Sequence, residues 1–554
     1  MKPFYRIVLS LILTITSMVA YANDIQVSNA TLVGQDVSAG ANNAANFTFA
    51  QFDINWSNSW RVGTGPNNWD AAWVFIKYRI EGGTGCTPGD WQHATLSNVG
   101  GNHSITTNNG VAGTISPSAD GRGVFMYRSA NGSGAINWDQ VLLQWNYGAD
   151  GLLDACNVSI KVFAIEMVYV PQGSFYIGDG AANAGQFESA VSGTPFQVTG
   201  EGALTLGGGG AGSVGNNNRA GEAAPQDDFN DGTSVALPAA FPKGFNSFYT
   251  MKYEISQEQY AEFLNVLTAT QQLARHGATI VNRYFTNATT PPNRNGVKCM
   301  VLPTGSTPGT YGCDLNNNGT ANESDDGQNI AFPYLSTMDF LAYLDWAALR
   351  PMTEFELEKI GRGTNPAVQD EYAWGSTTLH ATSYAALTNS GAGNELPNSP
   401  STTGGNAVYS TTANVGGIQG PLRVGIFATA TSSRVVSGAS YYGAMEITGN
   451  VWELVVGVGG LSGRSFTGVH GDGSVTAAGF ADEDFWPGSN GNSNIAVANI
   501  AGNPGSTSFA GIMFRMGSWV NPSWLRLSDR AYPGWTGMGN RDQRMGGRGV
   551  RTAP

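Results

Sequence analysis

The sequence predicts an α+β protein in which an antiparallel β-sandwich is followed by a larger, irregular domain. Three observations lead to this fold class. Residues 23–166 contain short apolar and aromatic runs separated by Gly and Asn turns, and no convincing helix. Capped helices begin only after residue 255, and the rest of the chain is irregular and rich in glycine. Repeated strands with such turns are typical of a sandwich.

The composition limits the classes of protein to be considered. The chain has 554 residues, is 41% hydrophobic and contains 75 glycines. This apolar content is enough for packed cores and excludes global disorder. The 28 Lys and Arg residues against 41 Asp and Glu give a net charge of −13. Because nucleic-acid binding depends on basic residues that neutralise phosphates, we expect no nucleic-acid partner.

The first 22 residues have the pattern of a secretory signal peptide. Lys2 and Arg6 precede an apolar run over 7–19, and a small-x-small site ends at Ala22. The run is shorter than the ~20 residues that a membrane-spanning helix needs. We therefore expect cleavage near Ala22 and a secreted, periplasmic or cell-surface protein that begins at Asn23. No later segment predicts a transmembrane helix.

Export places the four cysteines in an oxidising compartment, where disulfides form. Four cysteines allow three pairings. The simplest is local, with Cys86 joined to Cys156 and Cys299 joined to Cys313. A thiolate metal site or catalytic pair is the alternative, but it needs the close CxxC spacing that this sequence lacks.

The larger domain contains three helices with recognisable ends. Ser256 and Gln259 form a capping box before a helix over 257–267, and Thr353 with Glu356 caps another that ends near Ile360. An apolar-periodic helix over 338–349 lies between them. A Gly-rich stretch over about 180–240 has the composition of a flexible insertion.

Several motifs in the second domain resemble one known family. They are Met167-Val168-Tyr169-Val170-Pro171-Gln172-Gly173-Ser174-Phe175, Tyr253-Glu254-Ile255-Ser256-Gln257-Glu258-Gln259-Tyr260, Arg350-Pro351-Met352-Thr353-Glu354, Tyr372-Ala373-Trp374-Gly375, Gly449-Asn450-Val451-Trp452-Glu453, Met516-Gly517-Ser518-Trp519 and Gly547-Arg548-Gly549-Val550-Arg551. In this order they resemble the formylglycine-generating enzymes, also called sulfatase-modifying factors. The resemblance implies an irregular variant of the C-type lectin fold over 167–554, with insertions at about 180–240 and 286–330.

The resemblance does not imply the family's activity. Its copper enzymes carry two cysteines after the Gly-Ser-aromatic turn, and those positions here hold Asn521 and Arg526. Neither side chain supplies the thiolate that binds soft Cu(I). A related branch binds iron through histidines, but the five histidines of this chain show no ligand spacing. We predict no copper, no iron and no catalytic residue, although missing ligands do not exclude a third, metal-free branch.

Residues 314–325 form the most specific local motif. Oxygen-bearing side chains stand at loop positions 1, 3, 5, 9 and 12, and a glycine stands at position 6. This is the EF-hand type of calcium loop, and it resembles one repeat of a dockerin. The predicted ligands are Asp314, Asn316, Asn318, the carbonyl of Thr320, Asn322 and Asp325. The alternative is an Asn-rich surface turn.

The family resemblance implies a second calcium site. Around the Gly-Asn-x-Trp-Glu motif the family binds calcium through a side chain, two backbone carbonyls and the glutamate. The corresponding residues here are Glu446, Gly449, Val451 and Glu453. The alternative is that Glu453 and Trp452 only hold a turn in the core.

The same resemblance places a substrate groove near the C-terminus. Its candidate residues are aromatic or able to form several hydrogen bonds, as peptide or glycan contacts require: Trp519, Asn521, Trp524, Arg526 and Trp535. Arginines that tie irregular loops together are the equal alternative.

Two classes of function remain. The first is a secreted, calcium-stabilised protein that acts as a non-catalytic binding or structural module for an extracellular peptide, protein or glycan. The second is an enzyme of the formylglycine-generating family, of oxidoreductase type, with another chemistry. We favour the first because the redox thiols are absent.

Overall fold

The computed structural model describes residues 24–181, 185–216, 227–276, 280–382, 384, 386–409, 418–487, 511–520, 522–530 and 541–554. The predicted signal peptide over 1–22 lies outside the described residues. Within these ranges no helix combines the length and the apolarity that crossing a membrane requires.

Nine strands form the N-terminal part of the fold. They are β1 Gln26–Asp36, β2 Phe47–Arg61, β3 Asp70–Gly83, β4 Gln92–His93, β5 Ser104–Asn108, β6 Gly113–Pro117, β7 Val124–Arg128, β8 Gly132–Trp145 and β9 Cys156–Val170. One sheet has the order β1-β2-β8-β5, and the facing strands run β9-β3-β7-β6 with β4 beside β3. All pairings are antiparallel, and the two layers share one buried core. The predicted sandwich is confirmed.

The second part of the chain has shorter strands. They are β10 Phe175–Ile177, β11 Phe187–Ser189, β12 Phe196–Val198, β13 Leu204–Gly207, β14 Val214–Asn216, β15 Ser234–Leu237, β16 Phe248–Met251, β17 Val297–Val301, β18 Thr310–Cys313, β19 Arg350–Pro351, β20 Leu387–Thr388, β21 Leu396–Pro397, β22 Trp452–Val456, β23 Ile512–Arg515, β24 Met545–Gly546 and β25 Gly549–Thr552. Many small sheets among irregular loops agree with the predicted α+β class.

The helices lie in this second part as predicted. They are α1 Gln257–Leu264, α2 Ala269–His276, α3 Thr337–Trp346, α4 Glu354–Arg362, α5 Arg434–Ser437 and α6 Leu461–Arg464. The capping box before α1 forms, with Gln259 N–H donating to Ser256 Oγ at 3.3 Å. Thr353 and Glu356 cap α4 in the same way. These ends could be predicted because capping depends on residues three positions apart.

Strand β9 joins the two parts of the fold. It pairs with β3 over Cys156–Val168 and then with β16, so residue 166 lies inside a continuous strand. The resulting sheet has the order β19-β25-β16-β9-β3-β7-β6. The sandwich and the second part therefore share a sheet and are not linked by a flexible connection.

Strand β3 is buried on both faces. Val74 and Ile76 face the sandwich core, whereas Trp73 and Phe75 pack into the core of the second part. Alternate side chains of a strand point to opposite faces, which explains how one strand serves two cores. Trp73 also donates its indole N–H to the carbonyl of Ala347 at 2.9 Å.

The stretch over 180–240 contains ordered structure in its described residues. Strands β11, β14, β13 and β15 form a small sheet in that order. Gly207 and Gly208 adopt φ values of 71° and 76°, and Cβ atoms there would lie 2.4 and 2.9 Å from neighbouring atoms. The glycines that we interpreted as part of a flexible insertion therefore make a tight turn at the end of β13.

The cysteines confirm one predicted disulfide and correct the other. Cys86 and Cys156 are bonded, with their Cα atoms 5.5 Å apart. Cys299 and Cys313 are both free and buried. In the β17–β18 hairpin Cys299 pairs with Tyr311 and Cys313 with Val297, so the cysteines are diagonal neighbours. Diagonal positions are typically ~7–8 Å apart, which is too far for the ~4.4–6.8 Å between the Cα atoms of a disulfide.

Candidate functional site

The loop over 314–325 directly follows β18 and folds around its own side-chain oxygens. Gly319 N–H donates to Asp314 Oδ2 at 3.2 Å, which links positions 6 and 1. Asn318 N–H donates to Asn316 Oδ1 at 3.0 Å, and Asn316 Nδ2 donates to Asp325 Oδ1 at 3.1 Å. Hydrogen bonds therefore join the side chains at positions 3 and 12 and tie the side chains at positions 1 and 3 to the backbone of the same loop.

The remaining predicted ligands belong to the same hydrogen-bonded turn. Thr320 N–H donates to Asn318 Oδ1 at 2.8 Å. Asn322 Oδ1 accepts from Cys313 N–H at 2.9 Å, which ties position 9 to the end of β18. Asp314 itself is fully buried, and the ammonium of Lys298 on β17 contacts its Oδ2. Sequence reasoning missed Lys298 because its contact depends on the register of the hairpin.

The second predicted site lies in the core beside the start of β22. Glu453 Oε1 accepts from Arg548 Nε at 2.6 Å, and Glu446 Oε1 accepts from Gly425 N–H at 2.8 Å. The other carboxylate oxygen of each glutamate is buried without a hydrogen-bond partner. Burial is the main cause that raises the pKa of Glu446 to about 7 and also raises that of Glu453. Buried orphan carboxylate oxygens are costly, and a bound cation would satisfy them.

A third carboxylate lies beside these two. Glu254 is fully buried and accepts from Asn450 Nδ2 at 2.6 Å and from Val451 N–H at 3.1 Å. Burial is the largest cause that raises the pKa of Glu254 well above its usual range, and the negative charge of Glu453 is the next. Arg548 forms an ion pair with only one of the three carboxylates, that of Glu453, and a Ca²⁺ ion held by Glu446 and Glu453 would offset the remaining negative charge. Glu254 lies almost 200 residues before Asn450, and no local pattern in the sequence indicates the contact.

The loop that carries the predicted ligands has an unusual backbone. Glu446, Gly449 and Asn450 have φ values of 51°, 85° and 62°. A Cβ atom at Gly449 would lie 2.4 Å from the carbonyl oxygen of Val408, so this position accepts only glycine. Such a backbone is sparsely populated and needs strong local contacts to persist.

The candidate groove residues are only partly within the described ranges. Asn521 and Trp535 lie outside them. Trp519 is 1% exposed and donates its indole N–H to the carbonyl of Gln543 at 2.9 Å, so its ring does not line an open groove. Trp524 is partly exposed. Arg526 forms an ion pair with Asp370 at 2.8 Å, and both side chains are more than one-third exposed.

One acidic cluster among the described residues was not predicted. Carboxylate oxygens of Asp345, Asp472 and Glu483 all lie within 4.8 Å of one another. Burial raises the pKa of Asp345 well above its usual range, and Glu483 and Asp472 add to the shift. Backbone N–H groups of Asp472 and Asp482 donate to Asp345 at 3.1 and 3.2 Å. These donors hold the Asp345 carboxyl in place within the protein.

Comparison with known proteins identifies the second part of the chain. A family model described as a sulfatase-modifying factor enzyme 1-like domain matches residues 161–459, which is more than half of the chain. The chain belongs to the sulfatase-modifying factor family. No curated protein sequence matches it.

The matched segment begins inside β9 and contains both candidate calcium sites of this sulfatase-modifying factor. It ends before Asn521 and Arg526, the two positions at which the resemblance led us to expect the family's cysteines. The free cysteines Cys299 and Cys313 lie within the matched segment but on a buried hairpin. Burial raises both thiol pKa values, which favours the protonated and unreactive form.

Proposed function

We propose that this sulfatase-modifying factor is a secreted, calcium-stabilised binding or structural module that does not catalyse the family's copper-dependent oxidation. The observation that supports this most directly is the identity of the two positions after the Gly517-Ser518-Trp519 turn. Asn521 offers an amide and Arg526 a guanidinium, which is already paired with Asp370. Neither group supplies a soft anionic sulfur ligand.

Calcium suits the available oxygen ligands. Glu446 and Glu453 each offer one buried orphan oxygen, and the loop over 314–325 offers carboxylate and amide oxygens in one turn. Ca²⁺ takes ~6–8 oxygen ligands, and carboxylates with backbone carbonyls are its usual set. At both sites the ion would hold loops together, and the rigid core would then present the surface loops to an extracellular peptide, protein or glycan.

Oxygen consumption tests the proposed absence of copper chemistry. The purified protein is supplied with copper and a cysteine-containing peptide, and dissolved oxygen and conversion of the peptide cysteine are followed. We expect no peptide-dependent oxygen uptake by the wild type or by Arg526→Met, since neither supplies the missing thiolates. Turnover by the wild type that produces an oxidised peptide would overturn the proposal.

Calorimetry tests the calcium part separately. We expect chelator-stripped protein to take up calcium, and one binding phase to be lost in the variant Asp314→Ala/Asp325→Ala. A titration without any phase that depends on these two residues would contradict the loop site.

A further inference from the structure

Lys298 is placed on the calcium loop by the β17–β18 hairpin. Lys298 pairs with Gly312, two residues before Asp314, so its side chain reaches the first loop ligand. Its ammonium contacts Asp314 Oδ2, and the side chains of Lys298 and Asp314 are 14% and 0% exposed. This is a close ion pair away from solvent, where charge interactions are stronger than at the surface.

Tyr284 holds both members of this pair. The Lys298 ammonium lies 4.9 Å from the centroid of the Tyr284 ring, within the range of a cation–π contact. The Tyr284 hydroxyl donates to the backbone carbonyl of Asp314 at 2.8 Å, and it also lies 2.7 Å from Asn317 Oδ1. The lysine is therefore fixed against the loop by two neighbouring groups.

The ion pair changes the charge of the ligand set. Asp314 and Asp325 are the two charged ligands among the six predicted ones, and together they carry a charge of −2. The ammonium of Lys298 reduces this to −1. The affinity of a calcium loop depends strongly on the number of charged ligands.

We propose that Lys298 is a built-in cation that competes with calcium for Asp314. Its ammonium neutralises the carboxylate when no calcium is bound, so that the hairpin folds without the ion. The same charge opposes calcium binding and moves the affinity towards the ~10⁻⁴–10⁻³ M range of extracellular calcium modules. This inference rests on the calcium loop of the proposed function and adds the residue that sets its affinity.

A calcium titration of the chelator-stripped full chain tests the role of Lys298. The loop phase is defined as the phase that Asp314→Ala/Asp325→Ala abolishes. Lys298→Met should lower the Kd of this phase by about tenfold or more, because one positive charge beside the ion is removed. Lys298→Arg keeps the charge and should stay near the wild-type Kd. Arg283→Met is the control, because the Arg283 guanidinium donates to the Met300 carbonyl and not to a loop ligand. This variant should change the Kd by less than about twofold.

Thermal denaturation keeps the test informative if Lys298→Met is poorly folded. This variant removes the ammonium that faces the buried Asp314 carboxylate. It should therefore melt at a lower temperature than the wild type in chelator, and its melting temperature should rise more on addition of calcium. Equal Kd values and equal calcium-induced shifts for wild type and Lys298→Met would overturn the inference and leave the calcium loop intact. The absence of a loop phase in both proteins would contradict the loop and the inference together.

Discussion

Replacing Glu446 by Gln tests whether a cation belongs at the buried glutamates. Glu446 and Glu453 each have one buried oxygen without a partner, and each such oxygen costs about 1–3 kcal/mol. A calcium ion that satisfies both would recover that cost on binding. Gln keeps the oxygen that accepts from Gly425 but removes the negative charge. We therefore expect E446Q to lose about 2 kcal/mol of calcium affinity, which corresponds to a Kd about thirtyfold higher.

Isothermal titration calorimetry in the Asp314→Ala/Asp325→Ala background isolates this site, since the loop phase is absent there. Glu356→Gln is the matched control. It removes a buried carboxylate whose oxygens are already satisfied by Arg350 at 2.7 and 2.9 Å, and it should leave the Kd unchanged. An unchanged Kd in E446Q, or no calcium uptake in the background protein, would refute the reasoning.

Two further predictions concern the cysteines. Replacing both Cys86 and Cys156 by Ser should lower the free energy of unfolding by about 4 kcal/mol, because the disulfide closes a loop of 70 residues. Chemical denaturation of the double variant and the wild type measures this difference. A difference below about 1 kcal/mol would contradict the loop-closure argument. Protein unfolded without reductant should show two thiols that react with a thiol reagent, while the native protein shows none, because Cys299 and Cys313 are free but buried. An unfolded protein without reactive thiols would indicate the second disulfide after all.

The parts of the fold that depend on neighbouring residues could be predicted from the sequence. The capping boxes at Ser256 and Thr353 need only a partner three residues away, and both form. The apolar and aromatic run of β3 indicated a strand, but not that both of its faces are buried. That result depends on the second core, which packs against Trp73 from residues more than 200 positions further along the chain.

Strand pairing over long distances could not be predicted in this way. The residues of β9 looked like the end of one domain and the start of another, yet they form one strand because β3 and β16 pair with successive parts of it. The short spacing between Cys299 and Cys313 suggested a disulfide, but the hairpin register places them diagonally. The same register brings Lys298 to Asp314, and a one-residue slip would send the lysine to the opposite face.

The candidate calcium ligands were predicted by two different routes. The loop over 314–325 could be proposed because its candidate ligands fall within twelve consecutive residues at a characteristic spacing. The glutamates at 446 and 453 came from the family resemblance. The neighbouring carboxylate of Glu254 was missed because it reaches Asn450 across the fold. The spacing of residues in the sequence can indicate a candidate site within one loop. Contacts between residues that are distant in the sequence become visible only in the folded structure.

Elemental analysis of the purified protein tests the central claim most directly. The metal content is measured per chain after dialysis against buffer with calcium and traces of copper and iron. We predict up to two calcium ions per chain, one for each proposed site of oxygen ligands. We predict no stoichiometric copper or iron, because positions 521 and 526 do not supply thiolates. One copper or iron per chain, retained by the wild type, would contradict the account.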